Sequence, residues 1–207
     1  PSGDGVVSAS RIAKEFAEAG IPVVSGLARG IDAFAHKGCI DGGGRTIAVL
    51  PCGLDRMYPA SNKILAGRIL DNDGCLLSEY SPGEPPLKYR FPQRNRIISG
   101  LSRSVIVIEA PEKSGALITA DFALDQGRDL FVGKDALHSA RSAGTRLLQS
   151  QGAPSVHTAR EVAASWGCCT TFAKATVEPD STSPASARDA GRQLASEFRK
   201  QLALDFK

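Results

Sequence analysis

Short apolar runs that alternate with longer amphipathic segments constrain this chain more than any other feature. The runs span residues 21–24, 46–50, 75–77, 105–108 and 130–132, and helical patterns cover about 6–19, 31–41, 61–72, 93–101, 115–126 and 142–151. Uniformly apolar strands of this length are typical of parallel sheets that are buried on both faces. The alternation predicts an α/β fold with an open, mostly parallel, doubly wound sheet and helices on both faces. Such sheets bind ligands in a crevice outside the carboxyl ends of their strands.

Composition bounds the organisation of the chain. It has 207 residues, of which 42% are hydrophobic, and a net charge of +3, so a nucleic-acid-binding surface would have to be local. We expect a core domain over residues 1–165, a Pro/Ser/Thr-rich linker over 166–186 and a charged helix over 187–207. The five cysteines lack zinc-site spacing, and no run approaches the ~18 apolar residues of a membrane span. These features favour a cytoplasmic protein without metal or cofactor and without a membrane partner.

A glycine-bearing turn follows the first apolar run. The candidate anion ligands in this turn are Ser25, Gly26, Arg29 and Gly30. A helix begins near Gly30, and free backbone N–H groups at its start suit an anion, while the guanidinium of Arg29 suits phosphate. An ordinary strand–helix turn fits the same residues, with Asp32 as the acid of the helix start and His36 as a packed histidine.

A local basic block spans residues 88–96, where four cations and two aromatic rings occur within nine residues. Its candidate ligands are Lys88, Phe91, Arg94, Asn95 and Arg96. Sites for single-stranded nucleic acid combine cations that hold phosphates with aromatic faces that stack bases. Pro92 predicts the first position of a helix, from whose first turn Arg94 and Arg96 would project. The alternative is a solvated loop whose arginines pair with acids such as Glu79 and Glu109.

A third turn opens the helix after the fourth apolar run. Ser114 is a good N-cap residue there and Gly115 allows close backbone approach, so the turn can bind an anion. Capping alone also explains both residues. Three acids at strand ends, Asp32, Glu79 and Glu109, form a candidate acid/base set. The chain contains no GxxxxGK[ST], GxGxxG, HExxH or GxSxG motif.

Six blocks occur in an order and spacing that resemble the DprA/Smf family. They are SGLARGIDAFAH, TIAVLPCGLDRMYP, LLSEYSPGEPP, FPQRNRIISGLS, VIVIEAPEKSGALITADFALDQGR and a following FVG, within a match from about residue 6 to residue 162. The resemblance implies a Rossmann-like fold that binds single-stranded DNA and protects incoming strands during natural transformation. It also implies help in loading the RecA recombinase, homodimerisation through this domain, and no known enzymatic activity.

The resemblance further implies roles for individual residues. The turn at 25–30 and the Ser114–Gly115 turn would form walls of a phosphate-holding crevice. Lys88 would contact phosphate, Phe91 would stack on a base, and residues 94–96 would line the pocket.

Three features depart from the family pattern. The family's first core strand, which ends in G-x-R, would precede residue 1, so we expect the sheet to lack a central strand and the pocket to lack an arginine. Segment 133–145 lacks the usual Pro-Gly turn, and Thr145 or Arg146 stands where the family has asparagine. The tail is too short for the small winged-helix domain with which many members end.

Two other functions stay open from the sequence. The wider superfamily resembles nucleotide phosphoribohydrolases, which carry a PGGxGTxxE block, and Thr119 occupies the position of their acid in this chain. A threonine cannot serve as that general acid/base at neutral pH, which counts against an enzyme. The third hypothesis is a truncated paralogue that acts only in protein–protein association.

Overall fold

A computed structural model of the chain describes residues 1–167. Beyond its first two residues, the predicted 166–186 linker lies outside the described residues, as does the predicted helix over 187–207. The helices are α1 (Gly3–Glu18), α2 (Ile31–Asp41), α3 (Lys63–Asp71), α4 (Arg90–Gly100), α5 (Gly115–Asp125), α6 (Ala143–Ser150) and α7 (Ala159–Ser165). The strands are β1 (Val23–Ser25), β2 (Thr46–Leu50), β3 (Cys75–Ser78), β4 (Ser104–Val107), β5 (Asp129–Gly133) and β6 (Ser155–Val156).

All strand pairs are parallel, and they form two three-stranded sheets. Sheet I has the order β1–β2–β3, and sheet II has the order β4–β5–β6. Val24 pairs with Ile47 in sheet I, and Val107 pairs with Val132 in sheet II. The predicted parallel α/β architecture is confirmed, with its strands divided between two sheets instead of one. Parallel strands need crossover connections, and the helices between successive strands supply them.

Helix α1 joins the two sheets through a shared apolar core. Its residues Ile12 and Phe16 are buried in one cluster with Phe131 of sheet II, and Val23 of sheet I packs against the same cluster. Trp166 closes the far side of this cluster, with its ring 6.2 Å from that of Phe16. Because one core serves both sheets, the carboxyl ends of their strands are held in a fixed relation.

The differences from the predicted elements are local. Strand β6 and helix α7 were not predicted, because two and seven residues are too few to show a period. The start of α4 was predicted wrongly: the helix begins at Arg90, which makes Pro92 its third residue instead of its first. The first turn of a helix donates no intrahelical hydrogen bond, so proline is tolerated there. Among residues 1–167, no helix combines the length and apolar character needed to cross a bilayer.

Candidate functional site

The turn after β1 is held in one conformation by side chains from two other segments. Asp32 accepts hydrogen bonds from the N–H groups of Gly26 at 3.1 Å and Ala28 at 3.2 Å. Asn62 donates to the carbonyls of Leu27 at 2.8 Å and Ala28 at 3.2 Å. Leu27 is fully buried and has a positive φ of 55°, a conformation that a residue with a side chain keeps only when its surroundings fix it.

Arg94 of α4 supports this turn through a hydrogen bond to its backbone. Only 4% of the residue is exposed, and its Nη1 donates to the carbonyl of Gly26 at 2.7 Å and to that of Val49. A Cβ at residue 26 would lie 2.6 Å from the guanidinium carbon of Arg94, so only glycine admits this contact. Desolvation lowers the pKa of Arg94 from its ordinary value, although Asp32 opposes the shift. The guanidinium of Arg94, predicted to project from the first turn of a helix, is thus buried and supports the turn after β1.

His36 lies behind the same turn and is fully buried. Its Nδ1 is 2.7 Å from Oγ1 of Thr46, whose hydroxyl donates to the carbonyl of Val23 at 2.7 Å. Nδ1 is consequently the donor, and the ring is the neutral Nδ1–H tautomer. Burial lowers the pKa of His36 to about 4. The packed-histidine interpretation of His36 is thus correct.

Asn95, the neighbour of Arg94, reaches the second glycine turn. Its Nδ2 donates to the carbonyl of Gly115 at 3.1 Å. Ser114 caps α5 by accepting from the N–H of Ala116 at 3.2 Å, and nothing lies within 4 Å of a Cβ placed on Gly115. The capping role predicted for Ser114 is confirmed, and the space over Gly115 is open to an approaching group. Arg94 and Asn95, which are consecutive in α4, therefore fix the turn after β1 and the turn after β4.

The outer rim of the first turn carries cations and aromatic rings. Arg29 is exposed, and its Nε donates to Oγ of Ser61 at 3.2 Å. Three residues earlier, Tyr58 meets the ring of Phe91 edge-on at 5.5 Å. Lys88, three residues before Phe91, is exposed. Neither Arg29 nor Lys88 is in an ion pair with a carboxylate of residues 1–167.

Two other cations of the basic block are paired. Arg96 bonds to Glu79, and Arg90 bonds to Glu84 while lying 4.4 Å over the ring of Tyr80. The alternative in which arginines of this block pair with nearby acids thus holds for Arg90 and Arg96. Lys88 of this block and Arg29 of the first turn form no ion pair with a carboxylate of residues 1–167, so their charges are available to a ligand.

The three acids at strand ends are bound to separate partners. Asp32 holds the first turn and Glu79 pairs with Arg96, as described above. Glu109 accepts from the N–H and hydroxyl of Ser2 and from the hydroxyl of Ser139. Desolvation raises the pKa of Glu109, but these hydrogen bonds outweigh it and bring the pKa below its ordinary value. Such engaged carboxylates do not form the predicted acid/base set. Within residues 1–167, no three His, Cys, Asp or Glu side chains could hold a metal ion.

Sequence reasoning did not single out three residues of this rim, Tyr58, Ser61 and Asn62. They belong to the segment that connects β2 with α3, and they bring Phe91 and Arg29 to the same surface. The sequence signal that could have found this segment is an aromatic residue, Tyr58, that precedes Pro59 and lies outside any apolar period. The structure places this side chain at the surface, where it is 44% exposed.

These features define the chain as a Rossmann-like α/β protein whose two glycine turns lie at the carboxyl ends of its strands. Residues 1–167 match the model of the DNA recombination-mediator protein A family, and the chain belongs to that family.

Named relatives agree with this assignment. DNA processing protein DprA of Streptococcus pneumoniae is 49% identical over 142 residues, which cover 69% of this chain and 50% of that protein. The X-ray structure of DprA from that species superposes with a TM-score of 0.72 at 42% identity, covering 79% of this chain and 57% of the other. A structure of DprA from Helicobacter pylori superposes with a TM-score of 0.72 at 31% identity, covering 80% of this chain and 75% of the other. That structure concerns the single-stranded DNA binding mode of the H. pylori protein. The present chain thus spans half the length of the pneumococcal relative.

Proposed function

We propose that the chain binds single-stranded DNA along the rim formed by Arg29, Tyr58, Lys88 and Phe91. The observation that carries the proposal is that Arg29 and Lys88 are exposed and free of carboxylate partners among residues 1–167, and that a contact between Tyr58 and Phe91 joins the segments beside them. Cations hold phosphates and aromatic rings stack bases in proteins that bind single strands. The single-stranded DNA binding mode described for the H. pylori relative supports the same ligand.

The fixed turn beneath the rim favours binding because little order has to be gained when DNA arrives. Asp32 already accepts from the N–H groups of Gly26 and Ala28, and Asn62 and Arg94 already donate to the carbonyls of residues 26–28. Those N–H groups of Gly26 and Ala28 are therefore occupied, and phosphate would meet Arg29 and the start of α2 instead. Preorganised groups lose less conformational entropy on binding, which raises affinity without new contacts.

A role without catalysis fits the second turn. The hydroxyl of Thr119 donates to the carbonyl of Gly115 at 3.3 Å, so it is a neutral group within its own helix. A hydroxyl in this position provides no acid or base at neutral pH. We therefore place DNA binding ahead of phosphoribohydrolase-like activity, and ahead of a function limited to protein–protein association.

Membership of the family supports further proposals about the whole protein. We propose that it protects incoming single strands, assists RecA loading in natural transformation or recombination, and acts as a homodimer. The cytoplasm stays the predicted compartment. Ser25, Gly30, Asn95, Arg96, Ser114 and Gly115 stay predicted contributors to the crevice, and Arg94 is proposed as the residue that positions it.

A fluorescence titration with a labelled oligonucleotide at several salt concentrations tests the DNA-binding proposal. Lys88→Ala and Arg29→Ala should each weaken binding and each reduce the slope of log K against log salt by about 0.7, the value for one lost phosphate contact on a single strand. Arg45→Ala is the matched control, because Arg45 is equally exposed but precedes β2 at the amino ends of the strands. Duplex DNA should bind more weakly than the single strand.

Two results would contradict the proposal. Unchanged affinity and slope in both variants would move DNA away from this rim. Equal affinity for duplex and single strand would indicate a generic basic surface instead of a site with stacking rings.

A further inference from the structure

The connection between β5 and α6 forms a second basic surface on a firmly folded backbone. The hydroxyl of Ser142 donates to the carbonyl of Ala136 at 2.5 Å. Nη1 of Arg146 donates to the carbonyls of Leu137 at 2.8 Å and Ser139 at 2.9 Å. We name three exposed side chains of this region, His138 and Arg141 of the connection and Arg146 of the first turn of α6, the α6 basic patch. Its cations are displayed from a fixed loop.

The charges of this patch are not neutralised within residues 1–167. Neither Arg141 nor Arg146 forms an ion pair there. Two carboxylates near the patch are engaged by other groups: Glu109 accepts from Ser2 and Ser139, and Asp135 bonds to Arg11 at 2.6 Å and to His157. Among residues 1–167, Arg146 makes its side-chain hydrogen bonds through Nη1 alone, so Nε and Nη2 have no partner there and can face an anion.

Hydrogen bonds link the elements that carry the patch to those that carry the proposed DNA-binding rim, at the carboxyl ends of the strands. The N–H of Gly144 donates to the carbonyl of Ala110 at 2.9 Å, and the hydroxyl of Thr145 accepts from the N–H of Ala110 at 2.8 Å. Residue 110 leads directly into the Ser114–Gly115 turn, which Asn95 ties to α4. The patch thus lies on the sheet II side of the same edge that carries Arg29 and Lys88 on the sheet I side.

We propose that the α6 basic patch binds further phosphates of the same DNA strand, so that a long strand contacts both sheets. This inference rests on the proposed function, because it lengthens the same path. Arginine guanidinium groups suit the task, since each offers several donors to one phosphate. Short strands that fill only the rim would not reach the patch, which makes strand length the variable that separates the two surfaces.

A titration with oligothymidylates of about 4 to about 16 nucleotides, the range of site sizes in single-strand-binding folds, tests this proposal. Arg141→Glu is the main variant, because the side chain of Arg141 makes no hydrogen bond within residues 1–167 and the fold should tolerate its change. We expect its affinity for the longest strand to fall on the order of tenfold and that for the shortest strand to be unchanged. Arg141→Ala should lower the salt slope by about 0.7, for the long strand alone. Arg45→Glu, at the opposite end of the strands, controls for the change in net charge.

Five outcomes would overturn parts of this assignment. Equal weakening at every length, or an equal effect of Arg45→Glu, would mean that the patch acts only through net charge and would overturn the extension. Unchanged binding of long strands together with an altered association state in sedimentation would assign the patch to a protein interface. Failure of the unmodified chain to bind even the shortest strand, combined with an intact effect of Arg141→Glu on long strands, would place the whole DNA path on the patch and overturn the proposed rim. No binding at any length would overturn both proposals.

Discussion

The block at residues 88–96 has a buried inner face and an exposed outer face, and polar side chains have different roles on the two faces. On the inner face, Arg94 and Asn95 are 4% and 7% exposed and bond to backbone carbonyls of the two glycine turns. On the outer face, Lys88 is exposed and Phe91 meets Tyr58 at the surface. The inner face thus fixes the two glycine turns, and the outer face presents a charge and a ring at the surface.

The cations of this block are therefore not equivalent: Arg94 is buried against the backbone, and Lys88 is exposed. Nη1 of Arg94 is committed to the carbonyls of Gly26 and Val49, and both carbonyls lose this donor when the side chain is removed. Changes on the inner face should therefore act on stability first and on DNA second. Changes on the outer face should act on DNA and its salt dependence alone.

Replacement of Arg94 should give the largest effect. Arg94→Ala leaves two buried carbonyls without a donor and opens a cavity, so we expect the free energy of unfolding to fall by roughly 2–5 kcal/mol. Urea unfolding measures this loss directly. Single-strand affinity should fall as well, because the turn under Arg29 loses its support.

The matched variant for this prediction is Lys88→Ala on the outer face. It should leave the urea midpoint unchanged while it lowers the salt slope of DNA binding. If Arg94→Ala were as stable as the unmodified chain and lost salt slope instead, the inner and outer faces would have been assigned the wrong way round.

The second effect concerns His36, which lies behind the inner face and whose pKa is lowered to about 4 by burial. In the unfolded chain the ordinary value is about 6.5, so the unfolded state binds the extra proton first as the pH falls. Stability should thus be complete above about pH 6.5, fall by about 3 kcal/mol on the way to pH 4 and then lose nothing more from this group.

His36→Asn keeps a donor for Thr46 and removes the titration, so unfolding measured across this pH range should lose that component of its slope. His138→Asn, at an exposed position, is the control and should keep the full slope. A slope that survives in His36→Asn would show that another group, such as one of the engaged carboxylates, carries the acid sensitivity.

The third effect belongs to the outer face. Phe91→Ala should cost about 1–3 kcal/mol of DNA binding if the ring stacks a base, with a much smaller effect on stability. Phe91→Tyr keeps an aromatic face and should bind nearly as well. If both variants bind like the unmodified chain, the ring serves only its edge contact with Tyr58.

Much of this architecture follows from sequence patterns, but the division within the basic block does not. Apolar runs locate the five longer strands because burial on both faces leaves a local signature. No local signature indicates that Arg94 is buried, since its partners Gly26 and Val49 are 68 and 45 residues away. The role of Asn62 is hidden for the same reason, because Leu27 lies 35 residues before it. Long-range hydrogen bonds between polar groups decide these roles, and sequence periodicity does not record them.

The smallest effect, and the finest test of the two faces, concerns Arg96. Its side chain is 51% exposed and pairs with Glu79, so it is exposed like the outer residues but engaged like the inner ones. A double-mutant cycle of Arg96→Ala and Glu79→Gln should give less than about 1 kcal/mol of coupling in stability, as exposed pairs do. Arg96→Ala should also change the salt slope less than Lys88→Ala does, because its charge is already paired. A slope change of about 0.7 would mean that Arg96 leaves Glu79 for a phosphate when DNA binds, and it would extend the outer face by one residue.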